Sequence, residues 1–315
     1  MKYKEWLYEW LSNYVKPTSK EKTYIRYYEI SEQHIMPQLG EYELSDLTPF
    51  LVQKFVTDLT EKGNLRTGKG LSANSVNLII SVIQLSVRTA FTVGYLPNYE
   101  MDKIKRPKIK ERKVECFTVA EQKKIEQAVK TDKRPKMFGV VLCLYTGLRI
   151  GELLALEWSD INFSTSELNV TKSCHDGKYK NGVSEKVIDA PKTESSVRTI
   201  PIPKPIMIHL KALKKQSESR YVIASGENGI SVRSYQASFS LLLKSLNIPH
   251  KGFHATRHTF ATRALECGMD VKTLSEILGH NDPTVTLKRY AHSMLEHKKE
   301  MMNREEFSKW MRIRA

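Results

Sequence analysis

Residues 254–290 read HATRHTFATRALECGMDVKTLSEILGHNDPTVTLKRY, and much of the chain's chemistry is concentrated there. From Tyr235 onward the spacing is helical, so His254 and Arg257, three residues apart, project from one helix face and can reach one anion. An arginine fork suits phosphate oxygens, and an imidazole can bond a phosphate or pass a proton near neutral pH. His254 and His258 are also four apart, the spacing of a helical zinc site. A metallopeptidase, however, needs a glutamate directly after the first histidine. Ala255 stands there instead, and the cationic Arg257 would repel a metal. Further on, His280 follows Gly279, Tyr290 comes ten residues after His280, and Thr286 lies one helical turn before the tyrosine.

Working upstream, TGLRIGELLALEW (residues 146–158) reads as a helix with Arg149 and Glu152 on one side, where the carboxylate can restrain the guanidinium. Between the two helical regions the pattern changes. ELNVTKS, KVIDAP and VRTIPIP read as short strands, separated by HDGKYKNG and by KTESS. Thr118 and Glu121 form a capping box that opens this part of the chain, and Cys143, in the apolar run MFGVVLCLYTG, reads as a core residue. A second domain, residues 114–315, is therefore expected to be mostly α with a small antiparallel β-sheet.

The first 98 residues read as helices alone. Trp6, Leu7, Trp10 and Tyr14 fall on one face and are expected in a core. The stretch KEKTYIRYYEISEQHIMPQLG stops near Pro37 and Gly40. Thr48 looks like an N-cap with Pro49 at the first helical position. From Ser72 to Gly94, Val76, Ile80, Ile83, Val87 and Phe91 form one apolar stripe. Residues 99–113, which include MDKIKRPKIKERK, have the profile of an extended basic linker. Its cations Lys103, Lys105, Arg106, Lys108 and Lys110 are candidates to track a phosphate backbone.

The whole chain carries 50 Lys and Arg against 35 Asp and Glu, a formal charge of +15, which favours a polyanionic partner and makes nucleic acid the leading one. The four cysteines stand far apart with no C-x-x-C pair, an arrangement that argues against disulfides and a Cys-ligated zinc. No uninterrupted apolar run approaches a bilayer's thickness and no secretory signal is seen, so the expectation is a soluble cytoplasmic protein without a membrane partner.

Five blocks occur in order: TGLRIGEL, PKTESSVRTIPI with Lys192 in a strand-to-strand turn, HATRHTFAT, LGH, and a tyrosine ten residues beyond that histidine. Taken together they resemble the tyrosine recombinase or phage integrase family, in the form encoded by mobile elements. The resemblance implies a helical core-site DNA-binding domain followed by a catalytic domain, the looser first part carrying I-x-P-x-L-G around Pro37 and Gly40. It implies that Tyr290 attacks a DNA phosphate to give a 3′-phosphotyrosyl link, that Arg149 and Arg257 clamp the phosphate, and that Lys192 protonates the leaving 5′ oxygen. His254 and His280 would bond the phosphate and move protons, with Glu152 in support. Neither cofactor nor metal is expected. The implied partners are double-stranded DNA recombination sites, a homotetramer on two such sites, and an excisionase or a host DNA-bending protein. A tail with Phe307 and Trp310 three apart could dock on its own domain or on a neighbour. The alternatives are a chromosome-dimer resolvase, a type IB topoisomerase-like enzyme and a non-catalytic DNA-binding regulator.

Overall fold

A computed structural model describes residues 1–109, 114–132, 134–180, 183–189, 197–225, 228–280 and 282–290. The chain divides into two units, Met1–Arg112 and Lys113–Ala315.

In the first unit, α1 (Tyr3–Trp10) passes through a π-helical turn, Leu11–Val15, into α2 (Lys16–Thr18). In the same way α3 (Glu21–Ile30) passes through Ser31–Ile35 into α4 (Met36–Leu39). Pro17 and Pro37 each sit just inside the resumed helix. A proline lacks the amide proton and its ring crowds the carbonyl four residues back, so a turn wider by one residue lets the helix continue. The stretch expected to stop near Pro37 and Gly40 runs through the proline and ends at Leu39, with Gly40 as its C-cap. The extra rotation also carries Tyr14 out of line with Trp6, Leu7 and Trp10, leaving it exposed while those three are buried.

Helix α5 (Pro49–Lys62) starts as its sequence predicts, with the Leu51 amide donating to Thr48 Oγ1 at 3.2 Å. Helix α6 (Ala73–Thr92) is the axis of the unit, burying Val76, Ile79, Ile80, Val82, Ile83, Val87 and Ala90. The stripe ends on Ala90, and Phe91, expected to extend it, is 42% exposed because it lies a helical step off the buried line. Tyr3 and Trp6 anchor their polar ends on Ser86, at 2.7 Å to its hydroxyl and 3.0 Å to its carbonyl. By length and composition α6 could cross a membrane, although Asn77, Gln84 and Arg88 interrupt its apolar run; here it is the core helix of this unit.

The basic stretch after α6 is not extended over its first half. Met101 and Ile104, three apart on a short 3-10 turn, are buried in the same core. Arg106 donates to the Asn77 carbonyl (2.9 Å), Ser81 Oγ (3.1 Å) and Gln84 Oε1 (2.6 Å), all on α6. The two apolar side chains among the cations were enough to dock the segment. Lys103 pairs with Glu100 at 2.7 Å, Lys105 and Lys108 are exposed, and Lys110 lies outside the described residues.

The second unit begins with α7 (Val119–Thr131), whose capping box between Thr118 and Glu121 is formed as expected. Then follow α8 (Phe138–Thr146) and α9 (Ile150–Ala155). The strands are β1 (Ile161–Asn162), β2 (Glu167–Val170), β3 (Ser173–Lys180), β4 (Val183–Asp189), β5 (Arg198–Pro201), β6 (Ala224–Ser225) and β7 (Asn228–Gly229). They form an antiparallel sheet in the order β1-β2-β5, with Leu168 opposite Ile200, and two separate ribbons, β3-β4 and β6-β7. HDGKYKNG is thus not a separator, since its first six residues lie in β3. The Asn-Gly pair favoured in two-residue hairpin turns comes between Lys180 and Val183, which face each other in register. Asp176 in β3 receives the Val232 and Arg233 amides at 2.8 and 2.9 Å, capping a helix across the fold.

The remaining helices are α10 (Lys204–Lys215), α11 (Val232–Ser245), α12 (His254–Glu266), α13 (Val271–Leu278) and α14 (Pro283–Tyr290). Helix α8 is buried along most of its length, with Cys143 fully enclosed as expected, and Phe117, Tyr235, Phe239 and Phe253 pack edge to face beside it. The mostly α second domain with a small antiparallel sheet stands as read from the sequence.

Candidate active site

Much of the site is built at helix ends, with Arg257 and His258 inside α12. Gly147 terminates α8 with φ +67°, so TGLRIGELLALEW is not one helix. Arg149 stands in extended backbone as the N-cap of α9. A side chain at Gly147 would collide with Phe260 and Leu278, and the left-handed backbone disfavours one as well. The Arg149–Glu152 pair expected on a helix face is accordingly a cap. Glu152 Oε2 accepts the Arg149 amide at 2.9 Å while Oε1 accepts its Nη1 at 2.8 Å.

Glu152 is 5% exposed, and a carboxylate there needs all its lone pairs engaged. Arg198 supplies the rest, donating from Nη1 to Oε1 at 3.1 Å and from Nη2 to Oε2 at 2.8 Å. Burial pushes the Glu152 carboxyl up, but the bond and field of Arg198, with Arg149, outweigh it and hold the group below the usual carboxylate range.

Three arginines converge on the end of α13. Arg198 Nε donates to the Ile277 carbonyl at 2.6 Å, Arg257 Nη2 to the Leu278 carbonyl at 2.7 Å, and Arg149 Nη2 to the Gly279 carbonyl at 3.2 Å. The last carbonyls of a helix lack intrahelical partners and carry partial negative charge, so this end is suited to hold cations. Gly279, at φ +63°, ends the helix in the left-handed conformation that leaves those carbonyls turned outward.

Arg257 is 2% exposed and also donates from Nη1 to the Gly147 carbonyl at 2.9 Å and from Nη2 to His280 Nε2 at 2.9 Å. Burial and the neighbouring Arg149 and Arg198, opposed by Glu152, push its guanidinium down to about 9. Because arginine can only donate, His280 Nε2 must be an acceptor, and the ring proton sits on Nδ1. That proton reaches Thr286 Oγ1 at 2.7 Å, which gives the threonine one turn before Tyr290 its part.

Tyr290 ends α14 with its side chain turned inward, 3% exposed. Its hydroxyl lies 2.6 Å from Nδ1 of His258 on α12. The His258 ring stands edge-on to His254 at 4.5 Å between centroids, and His254, at the first residue of α12, is exposed.

The structure therefore gathers Arg149, Glu152, Arg257 and His280 by hydrogen bonds at the end of α13, sets Tyr290 within reach of the Arg257 charge, and joins His254 to Tyr290 through His258. Lys192 lies outside the described residues, between β4 and β5. Lys103, Lys105, Arg106 and Lys108 belong to the other unit. Two members escaped the sequence reading. Arg198 was taken only as part of a strand, although a buried Glu152 facing one arginine signals the need for a second cation. His258 was weighed only as a zinc ligand.

Comparison with known proteins places the chain in a family. The phage integrase family model matches residues 115–297, and a phage integrase N-terminal SAM-like domain model matches residues 2–60. A XerC-like tyrosine recombinase of Caldanaerobacter subterraneus is 28% identical, covering 91% of this chain and 78% of its own. The ICEBs1 integrase of Bacillus subtilis is 26% identical, covering 88% and 77%. In fold, the chain is similar to a Tn1549 transposon integrase solved with transposon right end DNA, at a TM-score of 0.80 and 22% identity over 96% of this chain and 98% of that one. A lambda integrase tetramer bound to a Holliday junction gives a TM-score of 0.70 at 22% identity, covering 92% and 77%. With more than half its length matched by one family model, and with the site assembled from that region, the chain belongs to the phage integrase family.

Proposed function

We propose that this chain is a site-specific DNA recombinase that moves a mobile genetic element, with Tyr290 as its nucleophile. The single observation that carries the reading is the convergence of Arg149, Arg257 and Arg198 on the carbonyls at the end of α13, two of them also paired with Glu152, with a buried tyrosine hydroxyl within reach of the Arg257 charge. Three guanidiniums and one carboxylate leave an excess of positive charge, which a phosphodiester would offset.

Catalysis belongs to residues 114–315 and core-site recognition to residues 1–98, with Lys103, Lys105, Lys108 and Lys110 of the following stretch available to DNA phosphates. Arg149, with 36% of its side chain exposed, and the donors that Arg257 does not spend on the protein would hold the non-bridging oxygens of the scissile phosphate. Glu152 keeps Arg149 in place. His280, kept neutral by Arg257, and His254 at the open end of α12 bond the phosphate and handle protons. Lys192 protonates the departing 5′ oxygen. The phenolic oxygen forms a bond to phosphorus as the bond to the 5′ oxygen breaks, giving a 3′-phosphotyrosyl link. That link retains the energy of the phosphodiester, so a second 5′ hydroxyl can reverse the step without ATP. No metal or cofactor enters this scheme. The protein would act in the cytoplasm as a tetramer on two double-stranded sites, with an excisionase or DNA-bending protein setting direction. A second reading, resolution of chromosome dimers, draws on the similarity to the XerC-like recombinase.

The test is a DNA core site nicked so that the cleaved strand is lost. Wild-type protein becomes covalently attached to it, and Tyr290→Phe does not. An adduct in the Tyr290→Phe protein would contradict the assignment.

A further inference from the structure

The recombinase reading leaves open what removes the proton from Tyr290. A phenol with an unperturbed pKa near about 10 is a weak nucleophile until it loses that proton. His254, the histidine assigned to the phosphate, is exposed at the start of α12. One turn deeper on the same helix, the buried His258 holds the hydroxyl at 2.6 Å.

Resting on the recombinase reading, we propose that His258 is the general base of the cleavage step, taking the Tyr290 proton onto Nδ1. A buried hydroxyl needs a hydrogen-bond partner of some kind, and a carbonyl or another hydroxyl would satisfy it. Here the partner is the side-chain type that exchanges protons near neutral pH. Among the described residues, His254 from its own helix and Tyr290 from α14 face His258. The phenolate that results is close enough to Arg257 to interact with its charge.

As Tyr290 attacks, its O–H bond breaks toward His258, its oxygen bonds to phosphorus, and the 5′ oxygen leaves with its electron pair to be protonated by Lys192. In rejoining, Lys192, left neutral by cleavage, takes the proton of the incoming 5′ hydroxyl as its oxygen bonds to phosphorus, and the imidazolium returns its proton to the departing phenolate oxygen. His258 ends as it began, and no other reactant is consumed.

The test is single-turnover cleavage of the nicked core site across pH, by the full-length wild type and by His258→Asn and His258→Gln. Both amides keep a hydrogen-bonding group near the hydroxyl without accepting a proton. DNA binding and thermal melting of each variant establish that it is folded. The expected result is cleavage slowed by about 10²-fold at neutral pH. The deficit closes as pH rises and the phenol ionises by itself. A substrate whose 5′ oxygen is replaced by sulfur gives the same deficit, because a better leaving group does not supply a missing base.

Cleavage by either folded variant at the wild-type rate and pH profile would overturn the proposal. So would a deficit that stays constant across pH, which marks a purely structural contact. The wild type supplies a measurement that needs no variant. Its rate should level off once the imidazole is unprotonated, and a rise that continues until the phenol itself ionises would overturn the proposal as well. Tyr290→Phe runs in parallel. An adduct there would sink the recombinase reading, whereas its absence together with an unaffected His258→Asn sinks only the base.

Discussion

Arg257 shows how much of this site depends on a single buried charge. Its unfolded guanidinium keeps its proton to the ordinary arginine value, while burial beside Arg149 and Arg198 brings the folded value down to about 9. Between those values the unfolded chain holds more protons, so this group makes stability rise with pH there. Below about 9 the full cost of charging it is present. A bound oxyanion offsets that cost. Sulfate, compared with chloride at equal ionic strength, should therefore raise the melting temperature at pH 7, less so above pH 9, and not in Arg257→Gln. An equal effect on wild type and variant, measured by thermal melting, would place the anion elsewhere. Arg149, Arg257, His280 and Tyr290 were singled out in the sequence through the resemblance of their ordered blocks to the family, and the fold brings them near one another. Arg198 and His258 were not, since their partners Glu152 and Tyr290 stand 46 and 32 residues away and only folding joins them.

At the scale of elements, the last turn of α13 is the part that organises the others. Its three successive carbonyls face three arginines that come from a cap, a strand and a helix. The pattern L-G-H could be read as a motif. What it does physically is end a helix in the left-handed conformation, free the carbonyls and place His280 against Arg257. Gly279→Ala puts a side chain into that backbone conformation, at a cost of roughly 1–2 kcal/mol. The new methyl also meets the Arg198 guanidinium at 3.1 Å. The expected outcome is a lower melting temperature together with a loss of cleavage larger than the loss of DNA binding. Wild-type cleavage by Gly279→Ala would show that the helix end does not set the arginines. Helix periodicity gave most of α5, α6 and α7 from sequence, because caps and buried stripes act locally. It failed at TGLRIGELLALEW, where Gly147 breaks a run that looks continuous. It also failed at HDGKYKNG, where a polar strand on a ribbon outside the main sheet has few apolar residues to announce it.

For the whole molecule, the chain divides after Arg112, within the stretch 99–113 read as linker. Met101 and Ile104 bury themselves against α6, so the segment read as linker partly belongs to the first unit. Composition pointed to the partner's charge, and only the ordered blocks of the second unit pointed to chemistry. The account rests on one claim, that residues from Arg149 to Tyr290 fold around a single DNA phosphate and that Tyr290 bonds to it. Full-length protein trapped on the nicked core site, digested with protease and mapped by mass spectrometry, tests that claim directly. The account predicts the nucleotide on the peptide containing Tyr290, joined through the DNA's 3′ phosphate. A nucleotide on any other residue, or a link through a 5′ phosphate, would contradict it.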